Sequence, residues 1–261
     1  MDLRHTFVIP AYKESAYLED CIKSVVNQTV PGEVLIATST PNDHIKGLAL
    51  KYGVKLCEHE PGALAGDWNF ALECADTPFV TIAHQDDVYE SNFREEVLKA
   101  IDEASAPIIA FTDYAELRGQ EKVTDNRNLK IKKMLLFPLR SKSAWTSRFL
   151  RRRTLSLGSA ICCPSVTINK DNVEMPLFLN NMKSNIDWQA WEMLSKKEGS
   201  FVYIHKVLMC HRIHEESTTS ELIGQNKRRD EDIFMFNKFW PMWVAKFIEH
   251  FYSKSESSNN L

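Results

Sequence analysis

The stretch HTFVIPAYKESAYLEDCIKSVV, residues 5–26, decides the fold. Its first part is a short apolar strand stopped at Pro10. Its second part places Leu18, Cys21, Ile22, Val25 and Val26 at i, i+3, i+4, i+7 and i+8, the spacing of one buried helical stripe. Ser15 is expected to cap that helix, with Glu19 and Asp20 near its positive end. The alternation then repeats. EVLIAT (33–38) reads as a strand, and STPND opens a helix through Ile45, Leu48, Ala49 and Tyr52 that Gly53 closes. VKLCEH (54–59) is a third strand, 64–75 a helix, and PFVTIAH (78–84) a fourth strand. A helix over 91–104 and the strand PIIAFTDY (107–114) complete the series.

Short apolar strands joined by helices imply right-handed βαβ units, hence an α/β fold with a mostly parallel sheet and helices on both faces. Ligands of such sheets bind beyond the carboxyl ends of the strands. Here those ends carry PAYKE, TSTPND and HQDD, so three polar clusters are expected to converge on one crevice. No G-x-G-x-x-G and no G-x-x-x-x-G-K-[ST] occurs, which excludes the dinucleotide-binding and P-loop patterns. In HQDD, Asp86 and Asp87 point to different sides of an extended chain, and one of them is expected to face the crevice. A carboxylate there suits Mg²⁺ or Mn²⁺, which take one or two protein oxygens and complete their shell with substrate phosphates. His84 is a nitrogen ligand or a phosphate donor on the same side. The alternative, that an aspartate only caps the helix starting near Ser91, stays open at this point.

With 261 residues, 44% hydrophobic and 26% charged, the composition is that of a globular protein. No run reaches the roughly 18 apolar residues of a membrane span, and MDLRHTFVIPAY leads directly into a strand, so a cytoplasmic protein is expected. The six cysteines show no C-x-x-C spacing and are expected to be reduced packing residues. Between Asn126 and Lys170 there are eleven Lys and Arg and no acid. Such a block attracts phosphates, anionic lipid or nucleic acid, or is a solvated face.

FVIPAYKESAYLEDCIKSVVNQT, followed by EVLIATSTPND, the Asn of GDWNFAL and an Asp-Asp ending the fourth strand, resembles the family 2 glycosyltransferases of GT-A fold, a Rossmann-like α/β architecture. The resemblance is firm over residues 5–113 and looser to about 220. It implies transfer of a sugar from a nucleoside-diphosphate sugar, a UDP-sugar being the first expectation, with inversion and with Mn²⁺ or Mg²⁺. It implies that Pro10, Ala11, Tyr12 and Glu14 hold the nucleoside, with Gln85 and Asn69 on the donor, and that Asp86 is the metal-binding acid of D-x-D. Three departures stand out. Thr38 and Ser39 replace the acid that the family usually has after the second strand, and their hydroxyls are expected on the nucleobase. His84 stands where D-x-D has its first acid. Asn69 follows Trp68 rather than a basic residue.

In the second half, Asp187 of NIDWQAWEML matches the family segment E-D-x-x-x-W-x-x-L, and by resemblance it is the catalytic base; helix capping is the alternative. Gly158 and Ser159 are expected to let an acceptor sugar approach closely. HRIHEESTTS (211–220) resembles the segment that folds over the donor diphosphate, with Arg212 on phosphate and His214 on the metal or a phosphate. The aromatic stretch 232–252, split by Pro241, covers the protein's own core or rests on a membrane surface.

The expected organisation is a GT-A domain over 1–220, with a nucleotide-sugar half to 115 and an acceptor half from 116. An amphipathic helical appendage follows over 221–252, then a disordered tail over 253–261. The expected partners are a nucleotide sugar and a saccharide or lipid-linked acceptor in bacterial surface polysaccharide synthesis, with peripheral contact at the inner membrane face and no nucleic acid. The competing reading is a sugar-nucleotide-binding protein that has lost catalysis. A nucleotidyltransferase is disfavoured for want of its glycine-rich phosphate loop.

Overall fold

The computed structural model describes residues 3–214 and 227–257. The expected units form in order: β1 (His5–Ala11), α1 (Leu18–Val26), β2 (Glu33–Thr38), α2 (Asp43–Tyr52), β3 (Lys55–Glu58), α3 (Leu64–Cys74) and β4 (Phe79–Ile82). The two-residue strand β5 (Val88–Tyr89), α4 (Phe93–Asp102), the long β6 (Pro107–Arg118) and β7 (Glu121–Val123) follow. The second half contains α5 (Arg127–Leu136), α6 (Arg148–Leu155), β8 (Val166–Asn169), α7 (Ile186–Leu194) and β9 (Ser200–Ile213). Two C-terminal helices, α8 (Lys227–Asn237) and α9 (Met242–Ser257), flank Pro241. Helix α9 thus extends to Ser257, into the segment expected to be disordered.

The strands run β3-β2-β1-β4-β8-β6-β9-β5 across one sheet, with β7 on β6. The β3-β2-β1-β4 half is parallel throughout, as the βαβ pattern requires. The other half is mixed, because β8 inserts antiparallel between β4 and β6, and β5 and β7 also pair antiparallel. Side-chain alternation along β1 serves two cores: Val8 joins the core under α3 and α7, while Phe7 and Ile9 join the core under α1, α2 and α4. On α1 the predicted stripe is buried at Leu18, Cys21, Ile22 and Val25. Ser15 makes no cap of the predicted kind; the N-cap is Tyr17, whose own N–H donates to Ser15 Oγ at 3.2 Å.

One buried cation fastens α4 to this sheet. Arg94 donates from Nε to His5 Nδ1 at 3.1 Å and from its two Nη atoms to the carbonyls of Val30 and Glu33, each at 3.0 Å. Arginine can only donate, so His5 accepts at Nδ1 and donates from Nε2 to Thr81 Oγ1 at 2.9 Å. Thr81 meets Thr167 Oγ1 at 2.6 Å, which carries the network across β1, β4 and β8. Replacing Arg94 by Ala orphans two carbonyls and His5 Nδ1, and is expected to cost about 3–5 kcal/mol. Urea denaturation should show this as a lower midpoint, and Arg94→Lys should recover only part of the loss.

Candidate functional site

Strands β2 and β3 lie to one side of β1 and β4 to the other, so the chain switches direction at the β1/β4 boundary. At such a switch point the strand ends leave a crevice. All three polar clusters meet there. Gln85, after β4, accepts from Tyr12 N–H at 3.0 Å and donates to Tyr12 O at 3.3 Å. Lys13 N–H donates to Thr40 Oγ1 at 2.6 Å, tying the ends of β1 and β2 together. Ser15 Oγ donates to Asp86 Oδ1 at 3.1 Å. Lys13 carries a φ of 54°, a left-handed conformation that a side-chain-bearing residue holds only when its surroundings enforce it. Of the four expected nucleoside contacts, Pro10 and Ala11 are still paired in the sheet, while Tyr12 and Glu14 stand exposed beyond it.

The adjacent acids point to different sides as expected, but through a turn rather than an extended chain, Asp87 N–H donating to His84 O at 3.0 Å. Asp87 is fully buried and accepts from Arg212 N–H at 2.9 Å and from His211 Nδ1 at 3.0 Å. It caps no helix; α4 has Asn92 at its N-cap. Burial alone would lower the His211 pKa, but the Asp87 carboxylate outweighs it and raises the net value. Asp86 is only partly covered, and its Oδ2 lies 3.4 Å from His214 Nε2. Arg212 does not stand open for phosphate as expected. Its Nε donates to Asp86 O at 2.9 Å, its guanidinium lies 4.4 Å over the Tyr17 ring, and Nη2 approaches Asp20 at 3.5 Å. It braces the main chain under Asp86.

His84 stacks on Trp68 with ring centroids 5.1 Å apart. Burial, against the pull of Asp87 and Asp86, holds its pKa below the ordinary value, so the ring is neutral at pH 7 and its buried Nε2 has no hydrogen-bond partner. Among the described residues no three His, Cys, Asp or Glu gather into a group that could hold a metal ion, so His84, Asp86 and His214 do not come together as one ligand set. Asp86 and His214 together fit a cation that brings most of its ligands with a diphosphate.

At the end of β2 both hydroxyls turn inward. Thr38 Oγ1 accepts from Thr40 N–H at 3.1 Å, and Ser39 bonds Asp67. The carboxylate of this corner is therefore Asp67 on α3, with His59 Nε2 at 3.1 Å from its Oδ1. Burial raises the Asp67 pKa, with Ser39 and His59 opposing. Nothing in the spacing along the chain links residues 39, 59 and 67; only the β2–β3–α3 packing does. Asn69 is not available to a donor, since it bonds Phe178 O at 2.8 Å and Phe178 N–H at 3.0 Å and so pins that loop to α3.

Asp187 lies in the first turn of α7, and its Oδ1 accepts from Trp188 N–H at 2.7 Å. Burial raises its pKa, against that hydrogen bond and the charges of Lys132 and Arg228. The Cys162 and Cys163 thiols are pushed up by burial, with Asp87 and Asp187 both adding to the shift. Lys132, one of the eleven basic residues of the acid-free stretch, donates to Tyr114 Oη at 2.9 Å and is electrostatically coupled to both Asp187 and His211. Gly158 does not open onto an acceptor: a Cβ there would meet the Tyr252 ring at 2.7 Å. Residues 215–220 of the expected diphosphate-covering segment, like 258–261 of the expected tail, lie outside the described residues.

Residues 6–178 match the model of the family described as Glycosyl transferase family 2. No curated protein matches the sequence. Among solved structures, S. aureus TarS residues 1–349 in complex with UDP-GlcNAc aligns with a TM-score of 0.65 at 14% identity, over 99% of this chain and 74% of that one. The mannosyltransferase PcManGT from Pyrobaculum calidifontis, in complex with GDP-Man and Mn²⁺, gives 0.65 at 12% identity, over 99% and 76%. Against a longer S. aureus TarS structure the TM-score is 0.61 at 16% identity, and this chain covers only 42% of its length. At these identities the likeness is one of fold.

Because its pKa rises on folding, Asp187 binds its proton more tightly in the folded chain, and between its ordinary value of 3.8 and the raised value stability falls as pH rises. Asp187→Asn is therefore expected to melt higher than the parent at pH 7. The gain should vanish once the pH drops below about 4, where both states are protonated. Thermal melts across pH check this; equal stability at every pH contradicts it.

Proposed function

The chain belongs to glycosyl transferase family 2, and from that premise we propose that it transfers a sugar from a nucleoside-diphosphate sugar to a hydroxyl of a saccharide or lipid-linked acceptor, inverting the anomeric centre. The observation that carries this reading is the convergence of the β1, β2 and β4 ends on a partly open Asp86. UDP-GlcNAc in TarS and GDP-Man in PcManGT support the donor class. A UDP-sugar is the first donor to test. A role in bacterial surface polysaccharide synthesis rests on family analogy. A cytoplasmic location rests on the same analogy.

The chemistry divides between the two acids. Asp86 and His214 would hold Mn²⁺ or Mg²⁺, which when bound neutralises charge on the departing diphosphate. Tyr12 and Glu14 border the nucleoside, and Asp67 with His59 supplies a carboxylate–imidazole pair at the end of β2. Asp187 takes the proton of the acceptor hydroxyl as its oxygen bonds the sugar's anomeric carbon and the bond to the diphosphate oxygen breaks on the opposite face. A carboxyl with a raised pKa is a stronger base than an exposed one, and the charges of Lys132 and Arg228 oppose that rise.

Calorimetry with UDP- and GDP-sugars, in Mn²⁺, Mg²⁺ or chelator, tests the donor side. Asp86→Ala is expected to weaken metal-dependent binding about tenfold or more. For Asp187→Asn the expectation is donor affinity retained and turnover reduced by about 10²- to 10⁴-fold. Failure of every nucleotide sugar to bind sinks the proposal. Binding without turnover, unaffected at Asp187, assigns the chain to sugar-nucleotide binding alone.

A further inference from the structure

Helix α9 has two apolar faces. Its inner face buries Ala245 and seats Tyr252 against Phe236, at 5.4 Å between ring centroids, and near Trp188. Its outer face repeats Trp243, Phe247 and Phe251 at i, i+4 and i+8, exposed by 76%, 64% and 56%. A helix packed on a core needs one apolar stripe. Three large aromatics on a second stripe in water mark an interaction surface.

The charges around this stripe select the partner. Lys246 is exposed on the same helix, one residue from Phe247. On α6 the guanidinium of Arg153 lies between two rings, 4.7 Å from Trp240 in the turn into α9 and 5.4 Å from exposed Phe149. Arg153 belongs to the Asn126–Lys170 stretch, which has no acid. A basic side chain laid over a surface ring can leave the ring in an apolar layer and keep its charge at the polar boundary.

We propose that the face formed by α6 and the outer side of α9 docks on an anionic lipid surface, with the aromatic stripe at the headgroup boundary and Arg153 and Lys246 on lipid phosphates. Anionic headgroups supply the complementary charge. A second copy of the chain does not, because a two-fold contact sets this face against another like it, and neither α6 nor the described side chains of α9 present an exposed acid. No described helix is long and apolar enough to cross a membrane, so the contact lies along the surface. The inference is independent of the transferase reading, since none of these side chains borders the strand-end crevice.

The test is sedimentation of the full chain with vesicles of phosphatidylcholine, alone or with about one third phosphatidylglycerol. Binding to the anionic vesicles alone is expected, weakened by high salt and accompanied by a blue shift of Trp243 emission. The double variant Trp243→Ala/Phe247→Ala should lose binding on the order of tenfold or more, and Lys246→Glu about fivefold or more. Both variants should keep the parent melting temperature and nucleotide-sugar affinity, which separates a failure of docking from a failure of the donor reading. A monomer that ignores anionic vesicles overturns the proposal, as does binding that neither variant weakens. A dimer dissolved by Trp243→Ala, without vesicle binding, gives the face to a second copy and also overturns it.

Discussion

Two adjacent carboxylates at one strand end cannot share a buried environment, and the chain resolves this by turning Asp87 in and Asp86 out. A buried carboxylate is tolerated only when charge and N–H groups surround it, and here His211 and the Arg212 amide do so. That requirement brings the end of β9, from the far half of the chain, against the end of β4. Arg212 then braces Asp86 from beneath, and His214 arrives beside its outer oxygen. Much of the acidic corner follows from satisfying one buried ion.

The parallel half of the sheet was legible because each of its units is local: a strand, a polar turn and a helix whose stripe repeats within a few residues. The placement of strand β8 was not, because VTIN carries no sign that it will lie antiparallel between β4 and β6. The same division holds at the site. Convergence of PAYKE, TSTPND and HQDD follows from topology and could be read ahead. The side-chain partners could not. Thr38, Ser39, Asn69 and Arg212 are chemically able to meet a donor, yet each is occupied by backbone or side-chain groups brought near by tertiary packing. Asp67 and His59 were illegible for the converse reason, since their pairing exists only once α3 lies on β2 and β3.

Charge counting along the chain also changed meaning on folding. Of the eleven basic residues in the acid-free stretch, Arg151 is buried and donates to the carbonyls of Gly199 and Lys197, with burial bringing its pKa down to about 10, so it stays charged at neutral pH. Arg152 pairs with buried Glu192 at 2.8 Å, Lys142 with Glu103 at 2.6 Å, and Arg148 with Glu198 at 2.8 Å. Acids remote in sequence thus neutralise much of the block. Of the rest, Arg140 and Arg153 lie over the exposed rings of Phe137 and Phe149, and Lys132 donates to Tyr114 Oη.

The contact between Gly158 and Tyr252 has a further meaning. The ring occupies the place where any other residue would carry its Cβ, so the seating of α9 is encoded by a missing atom in a distant loop. A methyl group at 158 would act as a wedge. It would meet the edge of the Tyr252 ring, which would have to shift. Gly158, whose φ of 143° also favours glycine, thus fits the body of the protein to its C-terminal helix.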